Sequence, residues 1–319
     1  MAIGATGFSF LGIGKETSKF TAVAASDYIK ATSFDGDDAL DVLMDQGMRG
    51  VMATTFGAVA GTRQASFSIE GDVHLDTIGY FLQGIMGGYA VAGVGDPYTH
   101  TFSLDNDRTG DGQCQSYTLW DFNGLQARKY AGATESSLSL RFSAQELLTF
   151  SSSWSAIASV TDATPSPSFS TVKPIAGWVG TISHDGGANA LVEECEISFS
   201  RNVTPVFTIA GDQDPVQMWQ GPLDVSGRLM FLAAAELEFT NYLGVVDVGP
   251  IVITFAQTTH SLVLTMTSVI YTQAKVERGD DFTQVSAQFT AIANVTDIGA
   301  SLGYGPIKPV LINAKATYA

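Results

Sequence analysis

Charge is what this sequence has least of. Only 15% of its 319 residues are Asp, Glu, Lys or Arg, where globular domains carry about a quarter. The deficit fits a protein whose surface is largely covered by copies of itself. Basic residues are scarcer still, 16 against 32 acidic ones, for a formal charge of −16. A chain of that sign repels phosphates, so ordinary nucleic-acid binding is disfavoured. Charge alone leaves two uses open: solubility, or a surface past which DNA slides without sticking.

Cysteine is nearly absent too. Cys114 and Cys195 form no CxxC and no Cys/His ligand spacing, so two free thiols in a cytosolic fold are expected. The four histidines, His74, His100, His184 and His260, are scattered, with no HExxH. No metal or other cofactor is expected. No apolar run approaches the ~18 residues of a membrane span, and no basic residue precedes the first apolar stretch as in a signal peptide. The expectation is a protein made in a cytoplasm, away from membranes.

Catalytic patterns fail one by one. Gly12-Ile13-Gly14-Lys15-Glu16-Thr17 resembles a phosphate-binding loop, but Ser9 and Glu16 occupy places that need Gly and Ser/Thr. Asp105-Asn106-Asp107-Arg108-Thr109-Gly110 opens like a calcium loop, yet its twelfth position is Ser116 instead of Glu. It reads as a polar turn. The cluster Asp35, Asp37, Asp38, Asp41 and Asp45 fits a solvated loop or the start of a short helix through 38–46. No GxSxG elbow occurs. The chain is not expected to be an enzyme.

What the sequence does have is alternation. Phe67, Ile69 and Val73 oppose Ser66, Ser68, Glu70 and Asp72; Leu138, Leu140 and Phe142 oppose Ser137, Ser139, Arg141 and Ser143. That is the strand period. Further strands are predicted at 98–104, 115–121, 147–160, 192–200, 225–232, 251–257, 261–271 and 283–295. Many short strands with Gly-rich turns point to a sandwich or barrel. Two stretches switch to a helical stripe. One runs from Leu75 with Asp76 as its N-cap to a stop at Gly87-Gly88; the other is Ala233–Leu243 with Gly244 as its stop.

The halves repeat. Ala156-Ile157-Ala158-Ser159-Val160-Thr161-Asp162 recurs as Ala291-Ile292-Ala293-Asn294-Val295-Thr296-Asp297, an offset that also pairs Trp154 with Phe289. Each helix follows a strand containing a glycine, Gly71 in one half and Gly227 in the other. Residues 1–160 hold 17 acids and 9 bases and residues 161–319 hold 15 and 7, a net −8 each. The Ser/Thr/Pro-rich segment Thr161–Pro174 reads as the connector. Two domains are expected, 1–160 and 161–319.

The order of segments is informative. Gly12–Thr17 is followed by Arg49-Gly50, then by Ser66–Val73 and directly by the helix ending Leu82-Gln83-Gly84-Ile85-Met86-Gly87-Gly88. Pro97–Phe102, Tyr117-Thr118-Leu119, Tyr130-Ala131-Gly132-Ala133 and Ser137–Leu140 come next. This succession resembles tail tube proteins of long-tailed bacteriophages. The resemblance implies a mainly β fold: two tail-tube-type β-sandwich or barrel domains, each flanked by one short α-helix. It implies a structural virion protein, built in the host cytoplasm and kept in the tail, whose rings stack into a tube that delivers DNA without binding it specifically. Family members commonly form six-membered rings from one domain each, so two fused domains imply a trimeric pseudo-hexameric ring, with a hexamer as the alternative. The implied partners are further copies of the chain, the tape measure protein, the tail terminator and distal tail proteins. Ser66, Ser68, Glu70 and Asp72, with Asp224, Ser226 and Arg228 in the second half, are the candidate lumen-facing residues. The stretches 15–60 and 300–319, with little periodicity, are candidates for ring-to-ring contacts. Two other readings stay open: the tube of a related secretion or contractile injection system, and a carbohydrate-binding or adhesive β-sandwich.

Overall fold

The computed structural model describes residues 5–106, 111–184, 187–188, 191–209, 211–232, 237–278, 282–299 and 302–318. In chain order the first strands are β1 (Phe10–Lys15), β2 (Asp27–Ile29), β3 (Ala31–Asp45) and β4 (Gly57–Asp72), followed by helix α1 (Ile78–Met86). Then come β5 (Gly87–Ala92), β6 (Tyr98–Leu104), β7 (Tyr117–Phe122), β8 (Ala127–Ser143), β9 (Thr149–Ala156) and β10 (Val160–Asp162). The second part has β11 (Thr181–His184), β12 (Gly187–Ala188), β13 (Val192–Val206), β14 (Gln217–Leu232) and helix α2 (Leu237–Gly244). It closes with β15 (Ile251–Ala256), β16 (Ser261–Met266), β17 (Val269–Arg278), β18 (Thr283–Ala291) and β19 (Lys308–Asn313).

The fold is mainly β, in two sheets with two short helices. Eight strands of the larger sheet follow the order β3-β4-β9-β8-β13-β14-β18-β17, each antiparallel to the next. The 17-residue β8 also pairs through its first half with β7 and β10, and β7 leads on to β1 and β2. The smaller sheet runs β12-β11-β15-β16-β19-β6-β5. It interleaves early and late segments, since the C-terminal β19 sits between β16 and β6.

One face of the eight-stranded sheet is apolar because alternate residues of each strand are. Phe67, Ile69, Leu138, Leu140, Trp154, Ile197, Phe199, Val225, Leu229 and Phe289 are all buried in one core. Each such side chain contributes about 1.5–3 kcal/mol on leaving water. Helix α1 lies in this layer with every residue buried. Its Phe81 ring sits 4.7 Å from Phe150 and 5.9 Å from Trp154.

Several sequence expectations need correction. Asp76 does not cap α1; Thr77 holds the cap position and makes no side-chain cap hydrogen bond. The acidic cluster lies neither on a helix nor in a loop but on the 15-residue strand β3, held by its pairing with β4. The stretch 261–271 is two strands, β16 and β17, and the second continues to Arg278. The C-terminal stretch is partly core: Leu311 and Tyr318 are fully buried. Helix α2 starts at Leu237, and the predicted residues 233–236 lie outside the described residues, as do 107–110 of the polar turn.

The strand pattern of the early part recurs. Shifted by 161 residues the bounds of β3 become those of β13, and shifted by 160 those of β4 become those of β14. Both hairpins carry register shifts at matching steps: Ala31/Ser33 and Leu40/Val42 in one, Val192/Glu194 and Arg201/Val203 in the other. Likewise β8 with β9 matches β17 with β18, with shifts at Glu135/Ser137 and Tyr271/Gln273. Bulges interrupt a ladder at sequence-specific points, so their coincidence is a stronger sign of kinship than the strand order alone. By these offsets Gly227 corresponds to Phe67 and not to Gly71. The reason is packing: a Cβ at Gly227 would lie 2.4 Å from the Phe289 ring, whereas Phe67 stacks on Trp154 at 6.4 Å.

Candidate pore-lining face and open sheet edges

The other face of the eight-stranded sheet is predominantly polar, with Met230 and Leu232 among its few apolar side chains. Registers place Ser68 opposite Asp35 and Ser153, then Ser153 opposite Ser137, Ser137 opposite Ser200, and Ser200 opposite Asp224. The neighbouring rung runs Ser33, Glu70, Ser151, Ser139, Ser198, Ser226 and Thr290. A third runs Asp72, Thr149, Arg141, Glu196, Arg228 and Gln288. All seven residues singled out in the sequence, Ser66, Ser68, Glu70, Asp72, Asp224, Ser226 and Arg228, thus share one face of one sheet. The offset of 160 pairs Ser66 with Ser226 and Ser68 with Arg228.

Carboxylates outnumber cations on this face: Asp35, Asp37, Glu70, Asp72, Glu193, Glu194, Glu196, Asp224 and Glu277 stand among Arg141, Arg228 and Lys275. Arg141 bridges Glu194 at 2.8 Å, Lys275 lies 3.5 Å from Glu277, and the Arg228 Nε donates to Ser286 at 2.9 Å. Exposed pairs of this kind contribute about 0–1 kcal/mol. The cations are tethered to neighbours, and the field of the face stays negative. Residues of β3, β8, β9, β13, β17 and β18 join the candidates of β4 and β14 on it. Alternation in Thr149–Ala156 was the available signal.

The sheet ends in two open edges. Among the described residues β3 has only β4 as a strand partner, and β17 beyond its bridge at Ile270 has only β18. From Asp35 to Asp45 every residue of β3 is exposed, including Leu40, Val42 and Met44. A long exposed edge is a template for pairing with another chain.

Behind the polar face a buried polar knot ties the second part of the chain to α1. Gln220 donates to the Glu135 carbonyl at 2.8 Å and accepts from the Cys114 N–H at 3.1 Å. Arg201 donates to the carbonyls of Gly221 at 2.8 Å and Ile85 at 3.3 Å. Burial pushes the Cys114 thiol up to about 12, so it stays protonated and inert. Burial also raises the Glu135 carboxyl well above its ordinary value. One of its oxygens accepts from Ser152 at 2.5 Å, and the other has no partner among the described residues.

The family model for phage tail tube proteins matches residues 9–299, a span that takes in the polar face and both open edges. The chain belongs to the phage tail tube protein family. Among curated proteins none matches it. The family match answers the readings left open by the sequence: this is a structural subunit of a virion tail, which assembles with its own kind into a tube and associates with other tail proteins. For a tube subunit, an edge-exposed sheet with one apolar and one polar face is a usable building block. No helix among the described residues is long and apolar enough to cross a membrane.

Proposed function

We propose that three copies of the chain close into one ring, with the polar face turned inward as the lumen through which DNA passes unbound. The observation that carries this reading is the repeated four-strand pattern with its coincident bulges. Each copy then supplies two fused tube domains, 1–160 and 161–319, and three copies supply the six of the family's usual ring. Three times eight strands make a barrel of 24. At about 4.8 Å between strands and a tilt near 40°, that barrel is roughly 48 Å across between backbones. Eight strands closed on themselves would leave room only for their own side chains. Rings assembled in the host cytoplasm stack into the tube, around the tape measure protein and between the terminator and the distal tail proteins.

Negative-stain electron microscopy of the purified chain at rising concentration tests this. Threefold averages with a mass of three chains per ring are expected. Sixfold averages with six chains per ring would keep the tube and refute the fused pair.

A further inference from the structure

We infer that β17 of one copy joins β3 of the next in the register that β8 and β13 already display inside the chain. The inference rests on the ring reading above. Inside the chain the third strand of the first four, β8, meets the first strand of the second four, β13. The pairs are Phe142 with Cys195, Arg141 with Glu196, Leu140 with Ile197, Ser139 with Ser198, Leu138 with Phe199 and Ser137 with Ser200. The bulge at Glu135/Ser137 falls on that at Tyr271/Gln273 when 136 is added, and β13 falls on β3 when 161 is subtracted. Carrying the internal junction across by those offsets gives the seam. Arg278 faces Phe34 of the next copy, Glu277 faces Asp35, Val276 faces Gly36, Lys275 faces Asp37, Ala274 faces Asp38 and Gln273 faces Ala39. The partner is a second copy of this chain.

The side chains on the two open edges fit this register. Lys275 and Asp37 are both exposed and meet as opposite charges. Directly opposed ion pairs on a sheet face stabilise it and like pairs do the reverse. The one like pair, Asp35 with Glu277, has Lys275 diagonal to the first and 3.5 Å from the second. At the far end Arg278 comes alongside Phe34, where a groove of about 980 Å³ is lined in part by the rings of Phe34 and Tyr130. A guanidinium stacks on such faces.

The layer behind the seam points the same way. At the internal junction Arg201 and Gln220 are buried and bonded to the carbonyls that end α1. By the same offsets their counterparts are Leu40 and Ala60, and both are exposed. Helix α2, the counterpart of α1, has no buried residue and ends in exposed Leu243, Val245 and Val246. In the seam Leu40 and Val42 of the next copy cover that apolar end. A hydrogen-bonded knot holds the junction within a chain, and an apolar clasp holds the one between chains. The two junctions are therefore chemically distinct, and the internal one does not compete for the edge of a second copy.

Disulfide trapping tests the register. Asp37→Cys with Lys275→Cys, oxidised in assembled protein, is expected to link chain to chain and give a ladder ending at three chains on a denaturing gel. Facing Cβ atoms lie about 4.5–5.5 Å apart, whereas the control Ser33→Cys with Lys275→Cys is displaced by four residues, roughly 13 Å. The native Cys114 and Cys195 are buried and do not compete. Rings in the micrographs with no link at 37/275, or with a link in the control, overturn the seam while leaving the tube. A 37/275 link without rings keeps the seam and sinks the ring. Monomers at every concentration with no link overturn both. As a second reading, Asp37→Lys is expected to lower ring yield at least tenfold, and adding Lys275→Asp in the same chain to restore it. Failure of that restoration, with circular dichroism unchanged, counts against the pair.

Discussion

Glu135 is the residue least at ease in this molecule. It sits at the bulge of β8 and is fully buried; Ser152 bonds one oxygen, and the other faces the space over Gly84, where a Cβ would come within 2.6 Å of it. Its carboxyl titrates above its ordinary value because burial disfavours the charged form. A group raised in the fold contributes stability below its unfolded value near 4.5 and loses it as pH rises through the folded one. Glu135→Gln keeps the bond to Ser152 and removes the charge. We expect it to stabilise the subunit at pH 8 by about 1 kcal/mol or more, since one unit of pKa elevation corresponds to about 1.4 kcal/mol, and by less at pH 5. Urea melts at the two pH values would show this. Tyr318 gives the opposite case. Its ring lies on Gly79 so closely that a Cβ there would fall 2.3 Å from it, and its hydroxyl donates to the Asp76 carbonyl at 3.0 Å. Tyr318→Ala should cost about 3–5 kcal/mol, as large aromatic truncations in cores do. A thermal midpoint unchanged by that substitution would show that the C-terminal arm is not part of the core.

Among elements, the contact between β6 and β19 joins early and late chain, and it contains a titratable group. The His100 ring is buried between Tyr89, whose hydroxyl is 2.8 Å from Nδ1, and Asn313, whose Oδ1 is 3.0 Å from Nε2. Burial pushes its imidazole below the ordinary value. The unfolded chain therefore takes up the proton first, and the stability His100 supports is full above pH about 6.5 and falls as pH drops from there toward the folded value. Because Glu135 acts with the opposite sign, the contrast is best read in the Glu135→Gln background. Adding His100→Gln should flatten the decline in stability between pH 7 and 5.5, and an unchanged slope would refute the assignment. The elements themselves were unevenly legible. Where one face is buried, as in β9 with Phe150, Ser152, Trp154 and Ala156 all inward, the period of two stands out. In β3 nearly every residue is exposed, so no alternation marks it, and its strand character comes from β4, a partner distant in sequence. Asp76 looked like a cap because it precedes an apolar stripe, yet the chain turns into α1 one residue later. The candidate pore-lining residues were readable because they lie on the polar side of alternating strands. The open edges were not, since an edge is a property of the sheet.

For the whole molecule the sum of charges matters more than any single group. A lumen that neutralises no phosphates releases no counterions and holds DNA weakly at any salt. As the proposed lumen, the polar face would do this through its excess of carboxylates over tethered cations and the rows of serine between them. Glu70 and Asp224 stand on that face on β4 and β14, neither of which is an edge strand, so reversing them alters no directly opposed pair of the seam. Glu70→Lys with Asp224→Lys shifts each copy by four charges, two per substitution, and a ring of three by twelve. Tubes of this variant should form as readily as those of the parent and should retain duplex DNA at low salt. Retention should fall steeply between about 50 and 200 mM salt, because each phosphate contact adds nearly one to the slope of log affinity against log salt. In virions the same change should slow DNA release. If variant tubes assemble and neither hold DNA nor slow its release, the polar face is not the lumen, and the sheet must present its other surroundings to the passing genome.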